Sequence, residues 1–246
     1  MSWLVASVIV LAVLPGTVAA QEQIIDPAVQ TGSDNWNGYV ADSGYFTVVG
    51  ALMQQLVPNA GSSAASSWVG IGGNTTSDLI QAGISTSPDG SVVAWYELLP
   101  APMTPVFTMR DSTTILDVVI ADMGTNNWQI ILQEWPDIQS AKAGLRGPQP
   151  LQVWSQHFNY VSCHCSAEWI VEPAATSTLT GQLRQAPVAG GAEFWRMFAR
   201  SGKQTGSAGY FHPRFVRVVG SNVIPETFPD EPPGSNMALL FGNPQS

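Results

Sequence analysis

The chain of 246 residues carries 23 Gly, 18 Pro and 9 Trp, and its nine Lys plus Arg stand against eighteen Asp plus Glu, for a net charge of −9. An apolar share of 45% gives enough surface to offset chain entropy, which argues against a disordered polymer. The scarcity of basic residues argues against a nucleic-acid binder, and two lysines among many Gly, Pro, Ser and Thr are poor material for a helical bundle. With so few fixed positive charges, protonating the carboxylates leaves little self-repulsion, so the composition suits a chain that tolerates acid.

Residues 4–14 form the longest apolar run, too short to span a bilayer. Val18, Ala19 and Ala20 follow as a small-residue cleavage pattern ahead of Gln21, so 1–20 reads as a secretion signal and the product as an exported protein with no membrane anchor. Residues 21–33 are then a short N-terminal segment and 34–223 one β domain. The prolines at 225, 229, 232 and 233 make 224–246 an irregular tail.

Turn-forming clusters recur along the domain, as in Thr31-Gly32-Ser33-Asp34, Gly72-Gly73-Asn74, Pro88-Asp89-Gly90 and Gly124-Thr125-Asn126-Asn127. Segments rich in Val, Ile, Tyr, Trp and Thr lie between them, the spacing of an all-β sandwich of antiparallel strands. Strands are expected at 38–49, 67–71, 79–85, 92–98, 114–120, 128–132, 152–158, 168–171 and 214–219. Residues 192–200 are ambiguous: Phe194, Met197 and Phe198 fit one helical face, whereas Trp195, Met197 and Ala199 fit one strand face. Strand is preferred there.

Most standard chemistries lack their residues. His157, His164 and His212 are scattered, and in an extended segment His164 would point away from Cys163 and Cys165, so no metal site is expected. Along a strand those cysteines would stand about 6.6 Å apart, at the outer edge of disulfide geometry, which leaves a bridge and two free thiols equally open. There is no Gly-x-Ser-x-Gly elbow and no Asp-Thr-Gly pair, and Gly70-Ile71-Gly72-Gly73 has no Lys behind it to cradle a phosphate. Two polar outliers remain. In Ala167-Glu168-Trp169-Ile170-Val171-Glu172 a strand would put Glu168, Ile170 and Glu172 on one face and Trp169 and Val171 on the other; in Leu79-Ile80-Gln81-Ala82-Gly83, Gln81 would share a face with Leu79 and Gly83.

Together with their flanks these residues resemble the glutamic peptidases, or eqolisins, a small family of acid endopeptidases. The matching segments run in family order: Asn35-Trp36-Asn37-Gly38-Tyr39-Val40, Ser66-Ser67-Trp68-Val69-Gly70-Ile71, Leu79 to Gly83, Ala94-Trp95-Tyr96-Glu97 and Ala167 to Glu172. The resemblance implies a sandwich of two curved antiparallel sheets with a concave substrate cleft. It also implies Glu168 and Gln81 as the catalytic pair, and Trp36, Trp68, Trp95 and Glu97 as cleft residues around a polypeptide substrate. No cofactor is implied, and a monomer is expected.

The chemistry of such a pair is coherent. One glutamate near its reference pKa of about 4.3 can take a proton from water and return it to a leaving amine in an acid medium. An amide N–H that does not titrate steadies the oxyanion at the same pH. The chain departs from the family where Gly72 stands in place of an Asp and Leu99 in place of a Tyr, which bears on subsite preference. Two rival readings use the same residues: a carbohydrate-binding module stacking sugars on its tryptophans, and a glycoside hydrolase. On one strand Glu168 and Glu172 would lie roughly 13 Å apart, too far for a hydrolase pair, so Glu97 with Glu168 is the pairing left to it.

Overall fold

Strand-forming residues separated by Gly, Pro, Asn and Asp turns generate a chain of short strands with almost no helix. The computed structural model describes residues 30–33, 36–56, 65–87, 89–173, 175–177, 183–185, 190–211, 213–218, 223–226 and 237–241. The proposed signal at 1–20, most of the segment 21–33, and His212 lie outside the described residues.

In chain order the strands are β1 (Gln30–Ser33), β2 (Asn37–Ala41), β3 (Phe46–Leu56), β4 (Ala65–Gly72), β5 (Leu79–Thr86), β6 (Val92–Leu98), β7 (Thr104–Thr108), β8 (Ile115–Asp122) and β9 (Asn127–Trp135). A short helix α1 (Ile138–Ala143) follows, its first turn capped by Asp137, which accepts from the Ser140 N–H. Then come β10 (Gln152–Asn159), β11 (Ala167–Pro173), β12 (Ala175–Ser177), β13 (Leu183–Gln185), β14 (Gly190–Ser201), β15 (Gln204–Ser207), β16 (Arg214–Val218), β17 (Val223–Glu226) and β18 (Met237–Phe241).

β12 and β13 pair with each other apart from the rest, and the remaining strands form two stacked sheets. The first has the order β1-β16-β2-β11-β4-β5-β6-β7, and the second β10-β9-β8-β3-β14-β18-β17, with β15 beside β14. The pairs are antiparallel as expected, except that β1 runs parallel to β16. The run expected as one strand at 38–49 is two, broken at Asp42–Tyr45, so that β2 belongs to the first sheet and β3 to the second. Within the tail, read from its prolines as irregular, β17 and β18 extend the second sheet beyond β14. The edge strand β7 went unread because Pro105 and its largely exposed side chains give no apolar alternation.

The ambiguity at 192–200 has a structural cause. Residues 190–201 are strand throughout, but a β-bulge interrupts the register between Trp195 and Phe198, with Arg196 at φ 50°. The extra residue lets Phe194 and Met197, three apart, both enter the core together with Ala199. A three-residue spacing of buried side chains is what a helix would also give.

The core lies between the sheets. From the first sheet it takes Tyr39, Val69, Ile71, Ile80, Ala82, Ile84, Trp169 and Val171, and from the second Val49, Met53, Leu116, Val118, Ile120, Ile130 and Phe194. The Trp169 indole spans the layers, its Nε1 donating to the Gly50 carbonyl on β3 at 3.2 Å. Tyr39 is so enclosed that burial pushes its phenol pKa up to about 12.

On the outer side of the second sheet, Asp117 stands between Leu52 and Gln133 on the neighbouring strands. Part of its surface stays open, yet desolvation raises its pKa to about 7 against a weaker opposing pull from Arg196. The folded chain therefore holds a proton that the unfolded chain releases near pH 4. The resulting stabilisation is complete below that pH and is lost as pH rises through about 7. After allowance for partial solvent screening, wild type is expected to lose about 1–2 kcal/mol between pH 4 and 7.5 through this group. Thermal melts of Asp117→Asn should show a correspondingly flatter dependence of Tm on pH, and an unchanged slope would refute the assignment.

Candidate active site

Register on the first sheet decides which side chains meet. Glu168 on β11 lies opposite Gly70 on β4, Gly70 opposite Gln81 on β5, and Gln81 opposite Glu97 on β6. Val40 on β2 completes the rung on the other side of Glu168. Residues on one rung share a face of the pleat, and here it is the face turned away from the core. The expected alternation of Glu168, Ile170 and Glu172 against Trp169 and Val171 is what the structure has: Trp169 and Val171 lie in the core and Ile170 packs on the outer face.

Two strand spacings put the Cα atoms of Glu168 and Gln81 roughly 10 Å apart. Two long polar side chains bridge such a gap only if nothing stands between them, and the residue between them is Gly70. A Cβ there would lie 3.3 Å from Glu168 Oε2, 3.0 Å from the Trp68 ring and 2.9 Å from Leu79 Cδ1. The Glu168 carboxylate thus leans over the glycine toward β5. Gln81 Nε2 donates to Glu97 Oε2, while its Oε1 is buried with no hydrogen-bond partner among the described residues.

The next rung supplies the aromatic wall. Ile170, Trp68, Gly83 and Trp95 stand in line, and Ile170, Trp68 and Trp95 form with Val40 and Leu79 an apolar cluster against which Trp36 and Leu99 pack. Trp36 meets Trp68 edge to face with ring centroids 5.0 Å apart, and Trp68 Nε1 donates to Glu172 Oε2 at 3.2 Å. Trp95 Nε1 is buried with no partner among the described residues. All six residues singled out from sequence therefore gather on one face. The indoles of Trp68 and Trp95 are 1% and 3% exposed, so they offer no open platform for stacking a sugar ring. Glu97 and Glu168 stand three strands apart on the rung with Gln81 between them, and Glu97 is bonded to Gln81.

The resemblance implies a pair lining a concave substrate cleft; in the structure Glu168 is 0% exposed and Gln81 5%. Leu79 and Trp68 pack close to the bare backbone at Gly70, beside the Glu168 carboxylate.

Sequence reasoning missed the framework behind the site. Tyr160 accepts from the Leu79 N–H at 2.7 Å and donates to the Leu99 carbonyl at 2.9 Å, tying the start of β5 to the end of β6. Asp78 accepts from the Cys163 N–H at 2.7 Å; burial pushes its pKa up, but this bond and those from Thr76 and Ser162 outweigh it and hold the carboxyl below its usual value. Cys163 and Cys165 are joined by a disulfide with Cα atoms 5.1 Å apart, because the segment is not extended: His164 sits at φ 57°. His164 is buried between Tyr45 and Trp128, with its ring nitrogens on Asp122 Oδ2 and the Ser162 carbonyl. Gly72, where the resemblance implies an Asp, has φ 90°, and a Cβ there would fall 2.6 Å from the Asp78 carbonyl oxygen. No periodicity marks such loop residues, and only the folded chain identifies them.

A model of the Peptidase A4 family matches residues 28–209. The chain belongs to that family. It is a glutamic-type endopeptidase, a hydrolase of peptide bonds. Among solved structures, it is similar to scytalido-glutamic peptidase bound to a transition-state analogue inhibitor, with a TM-score of 0.65 and 19% identity over 86% of this chain and 100% of that one. It is also similar to SCP-B, described as a member of the eqolisin family in complex with the tripeptide Ala-Ile-His, with a TM-score of 0.63 and 20% identity over the same shares. At that identity the likeness is one of fold. A comparison with curated proteins finds no match.

In this A4 peptidase the bare backbone at Gly70 is a requirement of the rung. Gly70→Ala is expected to displace the Glu168 carboxylate or the Leu79 and Trp68 side chains by a few tenths of an ångström and to lower kcat/KM by about 10-fold or more. Peptide hydrolysis at wild-type rate by a folded Gly70→Ala protein would show that the space over Gly70 is not used.

Proposed function

We propose that the chain is an exported acid endopeptidase in which Glu168 activates a water molecule and Gln81 steadies the oxygen of the carbonyl that water attacks. The observation that carries this reading is the rung itself: a carboxylate and a carboxamide on either side of a glycine, on the face that does not pack into the core. In the forward step the Glu168 carboxylate accepts a proton from water as the water oxygen bonds to the substrate carbonyl carbon. The carbonyl oxygen becomes an oxyanion and accepts from a Gln81 N–H, a donor whose capacity does not change with pH. Glu168 then returns the proton to the leaving nitrogen as the C–N bond breaks. The pair needs no covalent intermediate.

Of the three tryptophans beside the pair, the partly exposed Trp36 would meet substrate side chains, while Trp68 and Trp95, buried in the same cluster, would support it from beneath. Leu79 and Leu99 make the opposite wall apolar. Acid activity is supported by the chain's low positive charge and by the direction in which Asp117 stabilises it. Export rests on residues 1–20; among the described residues no helix is long and apolar enough to cross a membrane. A monomeric peptidase domain at 34–223 is part of the same proposal.

Digestion of casein should peak in acid, decline toward neutrality and resist pepstatin. Glu168→Gln and Gln81→Ala should each reduce kcat by at least about 100-fold while leaving the thermal melt intact. Undiminished digestion by either variant would overturn the pairing.

A further inference from the structure

A carboxamide is a two-ended group. Rotated by 180° it exchanges a double acceptor for a double donor at little steric cost, so a Gln that serves a reaction needs something to choose its orientation. Neither Gly70 on one side nor the apolar cluster around it can choose. The polar neighbour directly across the strand pair from Gln81 is Glu97, and Gln81 Nε2 donates to Glu97 Oε2. A carboxylate accepts and does not donate, so in that form it holds the amide by its nitrogen alone. That turns Oε1 away from Glu97, and Oε1 is the buried end with no partner among the described residues.

We infer that Glu97 is a positioning residue rather than a substrate-binding one: its carboxylate fixes the Gln81 carboxamide so that Oε1 and the second N–H are both presented to the reacting centre. The inference rests on the Glu168 and Gln81 reading above. With Oε1 turned inward, a water molecule can donate one hydrogen to Glu168 and the other to Gln81 Oε1, leaving a lone pair for the substrate carbon. The remaining Nε2–H is the donor for the oxyanion. With the amide reversed, Oε1 would face the Glu97 carboxylate, acceptor against acceptor, and the water would lose one of its two anchors.

The experiment compares wild type, Glu97→Gln, Glu97→Ala and Glu168→Gln, each first checked for an unchanged thermal melt, on one peptide substrate at the pH of greatest activity. A Gln at 97 keeps the size and the hydrogen bond but offers both a donor and an acceptor, so it cannot choose the amide orientation. Expected for Glu97→Gln is a fall in kcat of about 10- to 100-fold with KM within about twofold of wild type, and for Glu97→Ala a fall at least as large. A raised KM with kcat unchanged would overturn the inference in favour of substrate binding, and wild-type kcat in Glu97→Gln would overturn it outright. If Glu168→Gln itself hydrolyses the peptide normally, it is the catalytic pairing that fails. An inactive Glu168→Gln beside a fully active Glu97→Gln removes only the positioning role of Glu97.

Discussion

The register between β11 and β4 is the constraint on which the site depends. Side chains alternate along a strand, so a slip of one residue would send Glu168 into the core and Trp169 to the outer face. Two things forbid it. Trp169 is fully enclosed between the sheets and bonded to Gly50 on the opposite layer, and Val171 fills the next core position. Exchanging that burial for a carboxylate in an apolar core would cost several kcal/mol. The polar chemistry of one face is thus held in place by the apolar packing of the other.

A second set of constraints fixes where β11 begins. The loop before it is secured at Tyr160 to Leu79 and Leu99, at Cys163 to Asp78, at His164 to Asp122 and to the Phe46 N–H, and at the Ser166 carbonyl to the Gly72 N–H. Most of these ties come from the strands that carry Gly70, Gln81 and Glu97 or from their connections, so the loop is fastened to the rung. The disulfide between Cys163 and Cys165 closes the tightest part of it. Gly72 fits the same scheme, since the space beside its backbone is taken by Asp78, which anchors the loop.

The enclosure of Glu168 and the pH response of Asp117 belong together physically. Both place a carboxyl where water is scarce, and a chain with few cations can do so at modest cost when the medium is acid. The packing of Leu79 and Trp68 beside Gly70 goes with the lack of exposed surface at Glu168.

The sequence alone determined the β class and most strand positions, because period-two alternation and turn residues are local properties, while the six clustered side chains were singled out by the resemblance of short segments to the glutamic peptidases. It also assigned Glu168 and Trp169 to opposite faces before any sheet was known. It failed where a long-range contact overrides the local pattern: the bulge at Arg196 imitated a helical spacing, prolines hid β17 and β18, and an extended reading of 163–165 could not foresee the turn at His164. Only the tertiary structure decided that Gly70 would lie between Glu168 and Gln81, that Glu97 would face Gln81, and that Tyr160 and Asp78 would hold the frame. The Gln81–Glu97 bond joins residues 16 positions apart and the Asp78–Cys163 bond residues 85 apart, and no local pattern along a chain encodes which strands will become neighbours.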